Sequence, residues 1–221
     1  VFFFLPFALI QVYGYSATMA GASVLPIILI LFALSRWTGE LTDKYGAKLL
    51  LVAGTVTGGL GYVALAIFQG TGSYFTTFFP GITLLGLGLA LSVAPLTTAV
   101  MNAVDVGWSG TASGINNAVS RMAGLMAIAV FGIVILHAFN ASLDREFDIA
   151  GITPAVREML AGERIKMAGA EIPAALGPET RAVLAAMVKS SYINGFDLVI
   201  YMAAALSFLS ALVAWFTIRR E

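Results

Sequence analysis

Residues 49–104 read LLLVAGTVTGGLGYVALAIFQGTGSYFTTFFPGITLLGLGLALSVAPLTTAVMNAV, a run of 56 residues without one charged side chain. A helix needs about 20 mostly apolar residues to cross a bilayer, so this run is long enough for two spans and a turn. The whole chain of 221 residues is 59% hydrophobic and 11% charged, whereas a soluble domain has about 45–50% apolar and about 25% charged residues. The sequence therefore predicts an all-α membrane protein.

Three further runs are uncharged, at residues 1–35, 122–143 and 198–218. Together the four runs predict six membrane segments. These are 1–14, 17–37, 47–69, 75–101, 109–138 and 190–218. Val1 begins directly in apolar sequence without an initiator Met, so we expect a truncated first helix and a chain that is a piece of a longer protein.

These segments predict three regions. Residues 1–138 hold spans one to five, 139–189 form an extracytoplasmic loop with short helices, and 190–221 hold the last span and a short cytoplasmic tail. In the loop, Thr153-Pro154 is typical of a helix start and Gly162 of its end. Gly177-Pro178-Glu179 begins a second helix that can run on into the last span. Seven acids and six bases mix in this loop, which favours a solvated cap without chemistry.

Orientation follows from the basic residues of the short connections. Six passes place both ends of the chain on one side, where Arg36, Lys44 and Lys48 lie between the second and third segments and Arg219-Arg220 follow the sixth. The positive-inside rule makes that side cytoplasmic. The loop 139–189 carries six basic residues, but long loops constrain orientation weakly.

Composition also excludes several classes of function. The 12 basic and 12 acidic residues give no net charge, so no nucleic-acid partner is expected. The chain has no Cys and one His, and we expect no metal site and no cofactor. No carboxylate pair, His cluster or Ser/His constellation lies within the spans, so a membrane enzyme is disfavoured.

The connection between the second and third segments reads Gly39-Glu40-Leu41-Thr42-Asp43-Lys44-Tyr45-Gly46-Ala47-Lys48. Its glycines permit a sharp reversal, which predicts a turn of two to four residues. Asp43 is expected just before the next helix, where it can meet the positive N-terminus of that helix. Lys44 and Lys48 can pair with acids or with anionic headgroups. An ordinary cytoplasmic turn is the alternative interpretation.

This connection resembles motif A, G-x-L-x-D-[RK]-x-G-x-[RK], of the major facilitator superfamily of transporters. The matching residues are Gly39, Leu41, Asp43, Lys44, Gly46 and Lys48. The resemblance implies a six-helix transmembrane bundle and a conformational latch. In such a latch the Asp caps a helix and pairs with basic residues in one state, and these contacts break in the other.

The chain resembles the C-terminal half of that fold. The third segment after the motif, 109–138, lacks the G-x-x-x-G-P-x-x-G-G signature of first halves, and 75–101 carries no charge where first halves tend to carry an Arg. Gln11–Ser16, Ala94–Ala99 and Gly110–Asn117 are similar to stretches of the EmrB/QacA-type fourteen-span drug:proton antiporters.

This resemblance implies secondary active, proton-coupled efflux of hydrophobic or cationic drug-like compounds by alternating access. The implied partners are the lipid bilayer, the missing N-terminal half, a small hydrophobic substrate and protons. The implied location is the bacterial cytoplasmic (inner) membrane, with a cytoplasmic C-terminus. Two alternatives remain open: a non-transporting scaffold or partner subunit, and a major facilitator transporter for another small solute.

Helical spacing gives the fifth segment a small, polar sector opposite an apolar one. The polar sector carries Asn116, Asn117 and Arg121. Arg121 lies about 16 Å into the span at about 1.5 Å per residue, near the bilayer midplane. It either lines a cavity or is fixed by backbone carbonyls or the missing half. The two Asn residues either contact substrate or hydrogen-bond between helices.

Two titratable groups lie near the outer interface. Asp197 aligns with Asn194 and Tyr201 on the last segment and is a candidate for proton coupling, because a buried carboxylate has a raised pKa. The uncharged run begins only at 198, which equally fits a solvated interfacial acid. His137 ends the fifth segment and is interpreted as interfacial.

Small residues predict where helices pack closely. Gly54 and Gly58 form a G-x-x-x-G spacing, as do Gly110 and Gly114, and Gly124 follows on the same segment. Such spacings let backbones of membrane helices approach each other. A half expressed alone would expose the polar sector of the fifth segment to lipid, so we expect instability or dimerisation of the isolated half.

Overall fold

The structure is a computed structural model that describes residues 3–67 and 73–218. Within these ranges the regular elements are all helical. The α-helices are α1 (Phe4–Gln11), α2 (Ala17–Ala22), α3 (Leu25–Tyr45), α4 (Ala47–Ile67), α5 (Tyr74–Thr77), α6 (Phe79–Asn102), α7 (Ser109–Ile149), α8 (Pro154–Ala161) and α9 (Pro178–Thr217). Short 3-10 helices cover Val106–Trp108 and Arg164–Gly169.

Five helical stretches in the described part are long and apolar enough to cross a membrane. They are Ala17–Tyr45, Ala47–Ile67, Phe79–Asn102, Val106–Ile149 and Pro178–Thr217, which confirms the all-α membrane fold. The first predicted segment, 1–14, contains the eight-residue α1, about 12 Å long and too short to span. Predictions for Val1, for residues 68–69 and for Arg219-Arg220 fall outside the described residues.

The helices form two compact units. The first holds the described residues up to Gly21 together with Ala127–Val199, and the second holds Ala22–Met126 together with the residues from Ile200 onward. Helices α7 and α9 contribute to both units.

In the second unit, α4 packs on α6 through glycines. A Cβ atom on Gly88 would lie 2.5 Å from the Gly58 backbone N and 2.7 Å from the Gly54 backbone O. A Cβ on Gly61 would lie 2.8 Å from the Leu85 N. No side chain fits between these backbones, and the close approach gains dispersion contacts that lipid does not supply.

Two other helices of this unit pack on the α4–α6 pair. Gly86 of α6 lies against Ile27 of α3. On α9, the Ser207 hydroxyl donates a hydrogen bond of 2.7 Å to the Thr55 carbonyl of α4, and the Phe208 ring covers Gly59.

The second predicted span, 17–37, is interrupted between α2 and α3. Pro26 lies in the first turn of α3 and has no N–H to continue a helix from Ala22. The carbonyl of buried Ser23 instead accepts a 2.6 Å hydrogen bond from the Tyr74 hydroxyl. Because an unpaired carbonyl is costly away from water, this contact stabilises the interruption.

In the first unit, a row of aromatic and aliphatic side chains on α7 forms the core. Phe131, Ile135, Phe139, Leu143 and Phe147 recur every four residues and are at most 9% exposed. The same unit contains buried residues of α1, α8 and α9. These are Phe4, Leu5, Leu9, Leu160, Leu184, Val188, Tyr192 and Phe196.

This core explains why α7 continues beyond its predicted end at residue 138. The 41 residues of α7 span about 61 Å, whereas the hydrocarbon core is about 30 Å thick. The uncharged run fixes the length that can lie in lipid, but the buried apolar row continues to Phe147 and keeps the chain helical beyond that length. The loop predicted from 139 is therefore helical to Ile149.

The helices predicted between residues 150 and 189 follow the sequence prediction more closely. Helix α8 begins at Pro154 after Thr153 and is capped by Gly162, and α9 begins at Pro178 and runs through the last span. Both predictions are confirmed. The Arg157 and Arg164 guanidinium carbons lie 5.7 and 5.5 Å from the ring centre of fully buried Phe147.

Each of these arginines also pairs with an acid of α7, Arg157 with Asp148 and Arg164 with Asp144, both at 2.7 Å. Cation–π and ionic contacts thus hold the segment after α7 against its last turns. Farther along the cap, Glu163 accepts hydrogen bonds from the Lys166 ammonium at 3.0 Å and from the Glu171 N–H at 2.9 Å.

We predict that Gly88→Ala destabilises the protein by about 1–3 kcal/mol, because its new methyl group meets backbone that cannot rotate away. Gly132→Ala is the matched control, since its nearest neighbour would be the Phe4 ring edge at 3.9 Å and Ala favours a helix. Unfolding of the full-length protein in mixed micelles measures both variants. Equal stability of the two would contradict the close α4–α6 packing.

A second prediction concerns pH. The Glu171 N–H and the Lys166 ammonium hold the pKa of Glu163 below its ordinary 4.5, and the Glu163 carboxylate raises the pKa of Lys166 above 10.5. The Glu163 contribution is therefore present above pH 4.5 and is lost as pH falls through the lowered pKa, while the Lys166 contribution is lost only as pH rises through its raised pKa.

Hydrogen exchange tests this directly. Protection of the Glu171 amide should fall in acid and should fall at neutral pH in Glu163→Gln, because the neutral amide is a weaker acceptor. Glu158→Gln, an exposed change on α8, is the control. Unchanged protection in Glu163→Gln would show that the carboxylate does not hold this turn.

Candidate functional site

The motif A-like connection joins α3 to α4 through one residue. Gly46 has φ 79° and ψ 153°, and its N–H donates to the Thr42 carbonyl at 2.9 Å. This backbone conformation is essentially restricted to glycine, so the reversal needs only Gly46. The predicted turn of two to four residues is therefore too long.

This tight reversal also corrects the prediction for Asp43. Asp43 lies in the last turn of α3, and not in a loop before α4, because α3 continues to Tyr45. Its side chain is exposed, and none of the ion pairs between described residues includes it.

The two faces of this end of α3 differ. Thr38 and Thr42 are buried, and each hydroxyl donates to a carbonyl of the preceding turn, at 3.0 and 2.6 Å. Leu41 and Lys44 are exposed and border a shallow depression with Trp37. A methyl group added at Gly39 would meet no neighbouring heavy atom within 4 Å, so the outer face of the motif is open.

Lys48 lies at the first turn of α4 beside a cavity of about 490 Å³. Its ammonium lies 5.1 Å from the centre of the Trp215 ring of α9, whereas the Lys44 ammonium lies 5.2 Å from the ring of its neighbour Tyr45. The two motif lysines thus have different surroundings.

The N-terminal part of α7, in the second unit, is largely uncovered. Asn117 and Arg121 are exposed and Asn116 is half-buried. Arg121 joins none of the ion pairs between described residues. A methyl group added at Gly110, Gly114 or Gly124 would likewise meet nothing within 4 Å. The three polar candidates therefore lie on a stretch of α7 that is uncovered on its apolar side too, where Ile115 and Met122 are exposed.

Asp197 belongs to the first unit and is half-buried. It lies close enough to Tyr13 for their charges to interact. Its predicted neighbour Asn194 donates a 3.0 Å hydrogen bond to the Ser142 hydroxyl of α7, and Tyr201 and His137 are exposed. The structure brings Asp197 near Tyr13, which spacing along one helix did not indicate.

Sequence reasoning missed three positioning contacts. They are the hydrogen bond from the Tyr74 hydroxyl to the Ser23 carbonyl, the contact of the Lys48 ammonium with the Trp215 ring, and the contacts of the Phe147 ring with Arg157 and Arg164. Each joins residues of different elements, so no local spacing reveals it. Only one of these residues could have been singled out from the sequence. Trp215 lies near the end of an uncharged run, where interfacial aromatic residues are common, but this position does not identify Lys48 as its neighbour.

Comparison with known proteins agrees with this geometry. The family model of the Major Facilitator Superfamily matches residues 1–129. The multidrug resistance protein Stp of Mycobacterium tuberculosis is 30% identical over 68% of this chain and 28% of its own length. The tetracenomycin C resistance and export protein of Streptomyces glaucescens is 27% identical over 99% of this chain and 41% of its own length.

A third relative is the cephamycin export protein CmcT of Amycolatopsis lactamdurans, which is 29% identical over 59% of this chain and 27% of its own. The chain thus spans less than half the length of these relatives. With five span-length helices and a glycine reversal between α3 and α4, and with the family model matching more than half its residues, the chain belongs to the Major Facilitator Superfamily of membrane transporters.

Proposed function

We propose that this chain is the C-terminal half of a proton-coupled exporter of hydrophobic or cationic compounds that works by alternating access. The observation that carries the proposal is the exposed Arg121 of α7, together with exposed Asn117 and half-buried Asn116. A charged group at midplane depth is costly against lipid, so this surface is expected to meet protein or a water-filled cavity. The missing half is the natural wall of such a cavity.

Relatives support the class of substrate. Three similar proteins are named for multidrug resistance, for tetracenomycin C export and for cephamycin export. We transfer from them only the direction, outward, and the broad class of small organic compound. The proposed location is a bacterial inner membrane with the α3–α4 connection and the C-terminus cytoplasmic, in keeping with Arg36, Lys44 and Lys48 on that side.

The proposed latch consists of Gly39, Leu41, Asp43, Lys44, Gly46 and Lys48. Its outer face is open, so Asp43 is free of the described ion pairs and accessible to a helix end or a base of the missing half. Contact in one state and loss of contact in the other would give the differential stabilisation that a two-state transporter requires. Within this half, Asp197 is the carboxylate that we assign to proton coupling.

Transport is tested in cells that lack their own exporters and express the full-length protein. We expect efflux of a fluorescent hydrophobic cation that stops when an uncoupler collapses the proton gradient. Efflux that persists unchanged would contradict proton exchange while leaving export intact. Absence of flux together with a stable protein partner in crosslinking would favour the scaffold alternative.

The α7 surface is tested separately. Arg121→Ala should lower the transport kcat/KM by about tenfold or more, because hydrogen bonds to a charged group contribute about 1.5–3 kcal/mol. Arg121→Lys should retain part of the activity. Arg145→Ala on the extramembrane end of the same helix is the matched control. Normal membrane abundance with unchanged transport in Arg121→Ala would remove Arg121 from the site.

A further inference from the structure

Two cavities of the second unit adjoin each other along α4 and α9. The first, of about 490 Å³, lies at the helix ends and is lined by Lys48, Asn102 and Trp215 among others. The second, of about 560 Å³, is an apolar groove between the same two helices. Trp215 lines both, so this ring lies where the first cavity and the apolar groove adjoin.

The groove runs along the helices away from Lys48. Its α4 wall is Val52 and Val56, which share one helix face with Lys48 at steps of four residues. Eight residues at about 1.5 Å per residue give a length of about 12 Å. Its α9 wall carries Phe208, Leu212 and Phe216.

The position along the chain indicates where this pair of cavities lies in the membrane. Lys48 comes directly before the uncharged run that begins at residue 49, and Trp215 lies three residues before the end of the run 198–218. A Lys and a Trp at such ends are typical of the headgroup level. The groove from Val52 to Val56 therefore lies at the depth of acyl chains.

Charge selects the headgroup. Among the described residues that line the first cavity, Lys48 is charged and none is acidic. Lys48 joins no ion pair between described residues, and α4 has no acid in its first turn. A phosphate there would meet an ammonium that no carboxylate of the described residues pairs with.

We propose that this surface is a binding site for an anionic phospholipid, with its phosphate at Lys48 and one acyl chain in the groove of Val52, Val56, Phe208 and Leu212. The Trp215 ring lies at the junction, against the glycerol backbone. The occupant is a membrane lipid and not a soluble phosphate, because the groove is lined by apolar side chains at acyl-chain depth, where a phosphate ion could not fill it.

The test uses the full-length protein in detergent micelles, titrated with dioleoyl phosphatidylglycerol and followed by native mass spectrometry. We expect phosphatidylglycerol to bind more tightly than dioleoyl phosphatidylcholine. Lys48→Gln should weaken phosphatidylglycerol binding about fivefold, and Lys48→Arg should preserve it. Lys44→Gln is the matched control, since Lys44 has the same charge but does not line this cavity. It should leave binding within about twofold of the unmodified protein.

Equal losses in Lys44→Gln and Lys48→Gln would overturn the proposal in favour of diffuse surface charge. Equal binding of phosphatidylcholine would overturn the role of the headgroup, and displacement by millimolar inorganic phosphate would overturn the role of the acyl chain.

A second variant tests the groove without changing charge. Val52→Phe fills it and should reduce phosphatidylglycerol binding several-fold, whereas Val213→Phe, on an exposed part of α9 that does not line the groove, should not. Unchanged binding in Val52→Phe would place the lipid elsewhere. If Lys48→Gln fails to fold, this pair of variants still decides the question.

Discussion

The close contact between the backbones of α4 and α6 is the constraint on which the second unit depends. Lipid chains are as apolar as the helices, so burying leucine gives little drive for association in a bilayer, and packing at short distance must supply it. Gly54, Gly58 and Gly88 allow that distance. Helix α3 reaches α6 at Gly86, and the last half of α9 reaches α4 at Thr55 and Gly59. The framework that carries Lys48 and the motif A-like connection is therefore set by residues without side chains.

The sequence predicted the helices of this protein well because membrane spans obey a length requirement. An uncharged run of adequate length has few alternatives to a helix when no water can satisfy its backbone. The same argument fails where the helix leaves the lipid. Helix α7 continues to Ile149 because Leu143 and Phe147 are buried, the latter with Arg157 of α8 on its ring, and that burial is a tertiary property. Likewise, one glycine at 46 replaces the expected turn because its φ is positive, a conformation that composition allows but does not specify.

For the candidate site, too, the sequence predicts the local features and not the contacts between distant elements. Motif spacing located the α3–α4 connection, and helical periodicity placed Asn116, Asn117 and Arg121 on a common surface. Neither motif spacing nor periodicity could show that Lys48 and Lys44 have different surroundings. The difference comes from Trp215, which contacts Lys48 and lies more than 160 residues away along the chain. Contacts between distant elements can be read only from coordinates, and here they distinguish Lys48, beside a cavity and Trp215, from Lys44, at a shallow depression near Tyr45.

The paired charges of residues 139–189 have a consequence for the export that we propose. In residues 139–189 seven acids face six bases, and Asp144, Asp148 and Glu163 are each tied to a nearby base. Such a surface has almost no long-range field, and what remains fades within about 8 Å at physiological salt. For the proposed export of a cation, this means that the released compound would not be drawn back toward this surface, and its escape would be governed by diffusion and by its own partition into lipid.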